Sequence, residues 1–123
     1  MSEKRIVVLT GAGISAESGI RTFRDGDGLW EEHRIEDVAT PQAWQADPMF
    51  VWRFYQSRRR QMKEVEPNPA HHALADLADR HANFTLITQN VDDLHERAGN
   101  MSTIHMHGSL KTLRCEASGQ REE

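Results

Sequence analysis

The chain has 123 residues, of which 37% are hydrophobic and 28% are charged, and its formal net charge is −4. This length corresponds to one domain or part of one. The net negative charge gives no reason to expect nucleic-acid binding, and no apolar run approaches the roughly 20 residues of a membrane-spanning helix.

The first predicted element is a strand at residues 6–9, a run too short for a helix and rich in β-branched side chains. Gly11, Gly13 and Ala16 follow in the G-x-G-x-x-A form of the dinucleotide-binding pattern. There the first glycine permits a tight turn, the second admits a diphosphate, and the next helix offers its N-terminus. We predict the turn and this helix at residues 11–19. The pattern alone is weak evidence, because ordinary strand–helix turns also carry it.

A dehydrogenase module also needs an acidic residue at the end of its second strand, about 20 residues after the glycines. Glu31, Glu32 and Asp37 lie at this distance, but we predict no strand before them. Residues 24–39 are rich in charges and glycine and predict a loop. The sequence therefore argues against an ordinary NAD oxidoreductase half-domain.

Three helix starts share one device, a capping residue followed by proline, at Thr40-Pro41, Asp47-Pro48 and Asn68-Pro69. Proline loses nothing at the first helical position, because its missing N–H would be unpaired there. The longest helix is predicted at residues 48–63 and the next at residues 69–81. The 3–4 spacing gives each of them one marked face. These faces carry Val51, Tyr55, Arg58 and Met62 on the first helix, and Ala70, Leu74, Leu77 and Ala78 on the second.

The second half of the chain predicts strands separated by a short helix. We predict strands at residues 84–88, 103–107 and 110–114, a helix from about residue 93 to Gly99, and a polar, frayed tail at 116–123. A polar cluster at residues 89–92 ends the first of these strands. The order predicts an α/β fold, a Rossmann-like parallel sheet with flanking helices. Only about half of a doubly wound nucleotide fold is visible, so the sheet is expected to be incomplete.

Separate motifs follow one another in an order known from one family. They are GAGISAESGIRTFR at residues 11–24, TQNVD at 88–92, LHERAG at 94–99 and HG at 107–108. Together they resemble the signature of the sirtuins, the NAD-dependent protein lysine deacylases. The resemblance runs from residue 6 to about residue 115 and covers the first part of a sirtuin. We therefore interpret residues 1–123 as the N-terminal part of a sirtuin catalytic domain.

The resemblance implies a reaction in which NAD is consumed. The acyl oxygen of a modified lysine attacks the anomeric carbon of the nicotinamide ribose, and nicotinamide leaves. A base then deprotonates a ribose hydroxyl, and O-acyl-ADP-ribose results. Histidine suits this role because it exchanges protons near neutral pH. By resemblance the base is His107, with His105 as the lesser candidate, and Asn90 is the second catalytic residue.

The resemblance also implies which residues hold NAD. They are Gly11, Ala12, Gly13, Ser15, Glu17, Thr22, Phe23, Arg24, Trp30, Gln89, Asn90, Val91 and Asp92. Phe23 would shield the reactive sugar from water, and Arg24 would orient the cofactor. Asp92 has a second interpretation from the residues alone, as the cap of the helix that starts near residue 93.

Tyr55 and Arg58 form a Tyr-x-x-Arg pair that resembles the pair of sirtuins preferring acidic acyl groups. An arginine fork binds a carboxylate through two hydrogen bonds, and the tyrosine hydroxyl adds another. This implies succinyl and malonyl groups as substrates beside acetyl. The alternative is a solvated basic face, because Arg59 and Arg60 follow directly.

Cys115 is the single cysteine. It excludes an internal disulfide and favours a cytoplasmic location, and no signal peptide is visible. Many sirtuins carry a four-cysteine zinc module, whose second position would be Ser118 here, so we predict no zinc in this chain. The expected partners are acyl-lysine proteins, without nucleic acid or membrane. The alternative function is a truncated sirtuin fragment without catalytic activity.

Overall fold

The computed structural model describes residues 4–20, 29–30 and 33–123, and for residues 29, 30 and 35 it describes the backbone alone. The elements in chain order are β1 (Ile6–Thr10), α1 (Ala12–Ala16), β2 (Leu29–Trp30), β3 (His33–Arg34), α2 (Ile35–Val38), α3 (Pro41–Ala46), α4 (Pro48–Met62), α5 (Pro69–Arg80), β4 (Phe84–Thr88), α6 (Leu94–Arg97), β5 (Ile104–His105), β6 (Leu113–Arg114) and β7 (Arg121–Glu122). None of the helices in this part of the chain has the length and apolar character that a membrane crossing requires.

The central sheet has three parallel strands in the order β1-β4-β5. The register places Thr10 beside Thr88, and Thr88 in turn beside His105. Parallel neighbours end at the same edge of a sheet, so the carboxyl ends of all three strands lie together. The predicted α/β fold with a parallel sheet and flanking helices is confirmed.

The two faces of this sheet differ in burial. Leu86 and the Thr10–Thr88 pair are buried on the face toward α5 and α6. On the other face Leu9 is 58% exposed and Ile104 is 51% exposed, with Ile87 between them. An uncovered apolar face of this kind is unusual for a parallel sheet, whose faces are normally both covered.

The predicted helix starts are confirmed, because each capping side chain accepts a hydrogen bond from a backbone N–H of its own first turn. The bonds measure 3.0 Å for Thr40, 3.1 Å for Asp47 and 2.9 Å for Asn68. Each cap satisfies one of the N–H groups that a helix start leaves without an intrahelical partner. The caps fix the first residues of α3, α4 and α5 as predicted.

The face predicted for α5 did not include the most buried residue of this helix. His71 is fully buried, whereas Ala70 is exposed. His71 Nδ1 accepts a 3.0 Å hydrogen bond from the backbone N–H of Asn68, so it completes a capping box. Glutamate or glutamine usually fills this position, and the histidine therefore did not signal a cap.

Several short elements differ from the predictions. The third strand covers only Ile104–His105, because the chain turns at Gly108, whose φ is 85°. The predicted fourth strand is reduced to β6, and the tail that was expected to fray supplies β7, its antiparallel partner. A strand, β2, does precede Glu31, but it pairs with β3 outside the central sheet. The predicted loop at residues 24–39 thus contains β2, β3 and α2.

Candidate active site

Strand β1 leads into the glycine-containing turn at the carboxyl edge of the sheet. Gly11 has φ −133° and ψ −165°, an extended conformation open to any residue, so the turn at this position does not depend on the conformational freedom of glycine. At Gly13 an added Cβ would have no atom within 4 Å. The backbone of α1 is therefore open to close approach at Gly13, as predicted for the second glycine.

A buried network joins this turn to the loop after β4. Ser15 Oγ donates a 2.8 Å hydrogen bond to Asp92 Oδ2, and both residues are at least 95% buried. The Asn90 amide donates to the backbone carbonyl of Gly11 at 2.9 Å and lies 3.3 Å from Ser15 Oγ. The predicted residues Ser15, Asn90 and Asp92 therefore form one connected group, held from two elements of the fold.

The second carboxylate oxygen of Asp92 binds the first residue of the following helix, α6. Oδ1 accepts a 3.0 Å hydrogen bond from the backbone N–H of Leu94, the first residue of α6. The alternative interpretation placed the helix cap one residue too early, because Asp93 occupies the N-cap position, but Asp92 does accept a hydrogen bond from the first turn of α6. Because both oxygens are engaged, Asp92 couples the start of α6 to α1.

Two buried histidines lie beneath this network. His95 Nε2 is 2.9 Å from Thr10 Oγ1, which donates to Thr88 Oγ1 at 2.8 Å. The Thr10 hydroxyl donates its one hydrogen to Thr88 and can therefore only accept from His95. His95 Nε2 thus carries the hydrogen in the His95–Thr10 bond. The ring centroid of His71 lies 5.1 Å from that of His95. Burial is the main cause that lowers the pKa of both imidazoles, so both are neutral near pH 7.

The two histidines near β5 have different surroundings. His105 ends β5 and is largely buried, with its ring between Glu96 and the backbone carbonyl of Asn90. His107 follows in the turn before Gly108 and is exposed. Because the strand ends at His105, the turn directs the two side chains to different surroundings.

A cavity of about 870 Å³ brings most of the predicted site together. Its walls include the predicted residues Ala12, Ser15, Tyr55, Arg58, Gln89, Asn90, Val91, Asp92 and His107. They come from α1, from α4, and from the loops after β4 and β5. The site therefore opens at the carboxyl ends of the parallel strands, where α/β sheets generally bind ligands.

The remaining predicted residues lie elsewhere. Gly11, Gly13 and Glu17 are near the cavity in sequence but do not line it, and Glu17 is the exposed C-cap of α1. Thr22, Phe23 and Arg24 lie outside the described residues, as does the side chain of Trp30, whose backbone belongs to β2.

Tyr55 and Arg58 lie on the cavity side of α4. Burial raises the pKa of Tyr55, which keeps its phenol protonated and able to donate. Arg58 Nη1 donates a 2.6 Å hydrogen bond to Gln61 Oε1, and the guanidinium carbon lies 5.8 Å from the centre of the Phe54 ring. The pair is therefore placed in a wall of the cavity, with Arg58 supported by its own helix.

Asn68 does not line the cavity but supports α1, a role that the sequence reasoning missed. Its Nδ2 donates to the backbone carbonyl of Ile14 at 2.7 Å and to Ser18 Oγ at 2.9 Å, while its Oδ1 caps α5. It thereby holds the end of α1 against the start of α5. The available signal was the residue type, since asparagine, unlike serine or aspartate, keeps an amide donor free after capping.

The cavity also has an aromatic and apolar wall that no motif indicated. It includes Trp44, Val51, Trp52, Met62, Leu110 and Leu113. Trp44 is held by a 3.0 Å hydrogen bond from its Nε1 to Glu116 Oε2. Among the described residues no group of three His, Cys, Asp or Glu side chains is placed to hold a metal ion, and Cys115 is exposed.

Comparison with known proteins assigns this fold and site to a family. The profile of the Sir2 family matches residues 11–123. The chain is 62% identical to "NAD-dependent protein deacylase" of Shigella flexneri over 98% of its own length and 45% of that protein. The match to the protein of the same name from Yersinia pestis is also 62%, over 98% of this chain and 44% of that one. The chain belongs to the Sir2 family.

Solved structures agree with this assignment. A mutant Sir2 homologue in complex with 2′-O-acetyl ADP ribose is 51% identical, with a TM-score of 0.87 over 98% of this chain and 48% of that one. A Sir2 homologue–NAD complex is 50% identical, with a TM-score of 0.83 over 96% of this chain and 46% of the other. The chain spans slightly less than half the length of the curated relatives it matches.

Proposed function

We propose that this protein is an NAD-dependent protein lysine deacylase, releasing nicotinamide and O-acyl-ADP-ribose. The observation that carries the proposal is that α1, the Gln89–Asp92 loop and His107 all contribute to the lining of one cavity. Membership of the Sir2 family and the names of the relatives support it. Acyl-lysine proteins are the proposed partners, and the cytoplasm remains the predicted location.

The residues present fit NAD. Open space above Gly13 gives a diphosphate access to the backbone where α1 begins. The polar residues Ser15, Gln89, Asn90 and Asp92 line the cavity, which Gly13 itself does not, and they offer donors and acceptors to ribose and carboxamide groups. When bound, NAD supplies the ribose carbon that exchanges nicotinamide for the acyl oxygen.

His107 is the proposed general base. It is exposed and lines the cavity, so a ribose hydroxyl could reach its imidazole without displacing protein atoms. An imidazole can accept that proton near neutral pH and later return it. Asn90 is the second catalytic residue, because its amide is fixed by Gly11 at the cavity wall and can orient the ribose.

The test of the proposed function is nicotinamide release from NAD by the 123-residue protein, with and without an acetyl-lysine peptide. We expect release only when both substrates are present. Calorimetric titration with NAD is run in parallel. Binding without peptide-dependent release, or no binding, would contradict the proposal for this chain.

The alternative function is that of a sirtuin fragment that contains the site residues but does not catalyse deacylation. The feature favouring it is the exposed apolar face of the central sheet, where Leu9 and Ile104 are more than half exposed. Parallel sheets normally have both faces covered, so a sheet with one exposed face gains less stability from apolar burial. The nicotinamide assay distinguishes the two, since the alternative predicts no release at any peptide concentration.

We propose that the protein prefers substrates with acidic acyl groups and that Tyr55 and Arg58 bind the carboxylate of these groups. The two side chains are three residues apart on α4 and both line the cavity. The guanidinium can bind the distal carboxylate of a succinyl or malonyl group, and the protonated phenol can donate to it. An acetyl group also fits a cavity of this size, so deacetylation accompanies the acidic preference.

Replacing Arg58 by methionine is expected to reduce desuccinylation far more than deacetylation. A hydrogen bond to a charged group contributes about 1.5–3 kcal/mol, so kcat/KM for succinyl-lysine should fall roughly 10- to 150-fold. Arg60→Met on the exposed side of α4 is the matched control, because Arg60 does not line the cavity. Equal losses for the two substrates, or the same effect in Arg60→Met, would refute carboxylate recognition by Arg58.

A further inference from the structure

His105 makes two short hydrogen bonds that together determine its protonation. Its Nδ1 lies 2.9 Å from the backbone carbonyl oxygen of Asn90, and its Nε2 lies 2.6 Å from Glu96 Oε2. Its side chain is only 12% exposed, and that of Glu96 is 21% exposed. The ring therefore bridges α6 and the loop after β4 in a largely dry environment.

Both partners of His105 are acceptors, because a carbonyl oxygen and an ionised carboxylate carry no hydrogen to donate. Each ring nitrogen must then supply an N–H, which only the imidazolium form can do. The imidazolium and Glu96 make a charge-assisted pair, the stronger class of hydrogen bond. This geometry excludes His105 as the general base, since neither nitrogen has a lone pair to offer.

We propose that His105 is a positioning residue whose imidazolium, anchored by Glu96, holds the Asn90 backbone and thereby keeps the Asn90 amide in the wall of the NAD cavity. The effect of His105 on NAD binding rests on the proposed function, whereas the hydrogen bonds of His105 do not depend on it. We call the Glu96–His105–Asn90 chain of hydrogen bonds the clamp. It acts through Asn90, whose side-chain amide donates the 2.9 Å hydrogen bond to the Gly11 carbonyl.

Loss of the proton would release this clamp. A neutral ring keeps one N–H, and the charged Glu96 is the stronger acceptor, so the hydrogen stays on Nε2. Nδ1 would then present a lone pair to the Asn90 carbonyl at 2.9 Å, where two acceptors repel. The Asn90 backbone would lose its anchor on that side, and the affinity for NAD would fall as the pH rises.

The surroundings of His105 set the direction of its titration. The hydrogen bond that His105 donates to Glu96 raises the pKa of His105 most, burial opposes it, and the Asn90 carbonyl and the charges of Glu96 and Asp92 add to the rise. His95 on α6 also faces this group, but burial lowers its pKa and keeps it neutral. His105 therefore stays charged above pH 6.5, where an ordinary histidine is half deprotonated.

The direct test is nuclear magnetic resonance on the 123-residue protein with ¹⁵N-labelled histidine. At pH 6.5 both His105 ring nitrogens should carry protons, with a titration midpoint above 6.5, and the backbone amide signal of Asn90 should shift with the same midpoint. A neutral ring at pH 6.5, or Asn90 signals that ignore the His105 titration, would overturn the proposal. This measurement requires neither NAD nor turnover.

Two variants connect the clamp to NAD. Glu96→Gln should lower the His105 midpoint, and His105→Gln should remove the alkaline loss of NAD affinity, which we expect to be roughly three- to tenfold in the unaltered protein. Glu64→Gln, at an exposed position outside the cavity, is the control. A loss that persists in His105→Gln would show that another group causes it and would refute the clamp.

The two proposals fail separately. If no NAD binds at any pH while Asn90 still follows the His105 titration, the clamp stands and the proposed function fails for this chain. If NAD binds with an affinity that does not change across the His105 titration, the proposed function stands and the clamp is wrong. Comparing the two titrations in one protein sample distinguishes these outcomes.

Discussion

Replacing His107 by alanine should lower turnover about 10²- to 10⁴-fold, the usual contribution of a general base. Among the described residues, His107 is the histidine that lines the cavity, and the nearby His105 cannot replace it because both of its ring nitrogens are engaged. Initial rates of acyl-peptide consumption, in this chain or in a longer protein that contains it, measure the loss.

The same variant should keep its fold and its affinity for NAD within a few-fold, because the exposed His107 side chain supports no packing. His81→Ala, an exposed histidine at the end of α5, is the matched control and should retain full activity. Turnover that survives in His107→Ala would exclude His107 as the base. A loss of NAD affinity equal to the loss of turnover would instead assign it to binding.

Local signals predicted most of the main elements. The capping residue and proline before α3, α4 and α5 identified their starts, because the chemistry that begins a helix lies within one turn of the chain. Strands β1 and β4 were predicted from short apolar runs, and their parallel pairing followed from the helices between them. These features depend on residues close in sequence.

The short hairpins could not be predicted in this way. Each strand of the β2–β3 and β6–β7 pairs has two residues, too few for an alternating pattern to be recognised. The pairing of β6 with β7 is specified by contacts across the turn at Gly119, whose φ is 75°. Patterns within one segment do not reveal such contacts.

The sequence predicted most residues of the site but only some of the hydrogen bonds that connect them. Asn90, Asp92 and His107 stood out because they occur in motifs at the ends of predicted strands. The bond between Ser15 and Asp92 joins residues 77 positions apart, and no local spacing encodes it. The roles of His105 and His95 likewise depend on which acceptors fold against their rings, so the sequence left His105 as a second candidate for the base.

The buried pair His71 and His95 should make the fold acid-labile. Burial lowers both pKa values in the folded protein, whereas the unfolded chain titrates near pH 6.5. Their contribution to stability is therefore complete above pH 6.5 and is lost as the pH falls below this value. The reason is that the unfolded chain then binds protons that the buried histidines of the folded protein do not bind. With both histidines titrating, the free energy of unfolding should fall by up to about 2.7 kcal/mol per pH unit.

Urea unfolding between about pH 7.5 and pH 5.5, above the range in which ordinary carboxylates titrate, measures this slope. The double variant His71→Gln and His95→Gln should flatten it, since glutamine can accept the Asn68 capping bond and donate to Thr10 without titrating. His72→Gln, the exposed neighbour of His71, should leave the slope unchanged. His105 acts with the opposite sign, because its raised pKa makes it stabilising at low pH, so it cannot produce the acid loss. An unchanged slope in the double variant would assign the acid sensitivity to other groups and refute the role of the buried pair.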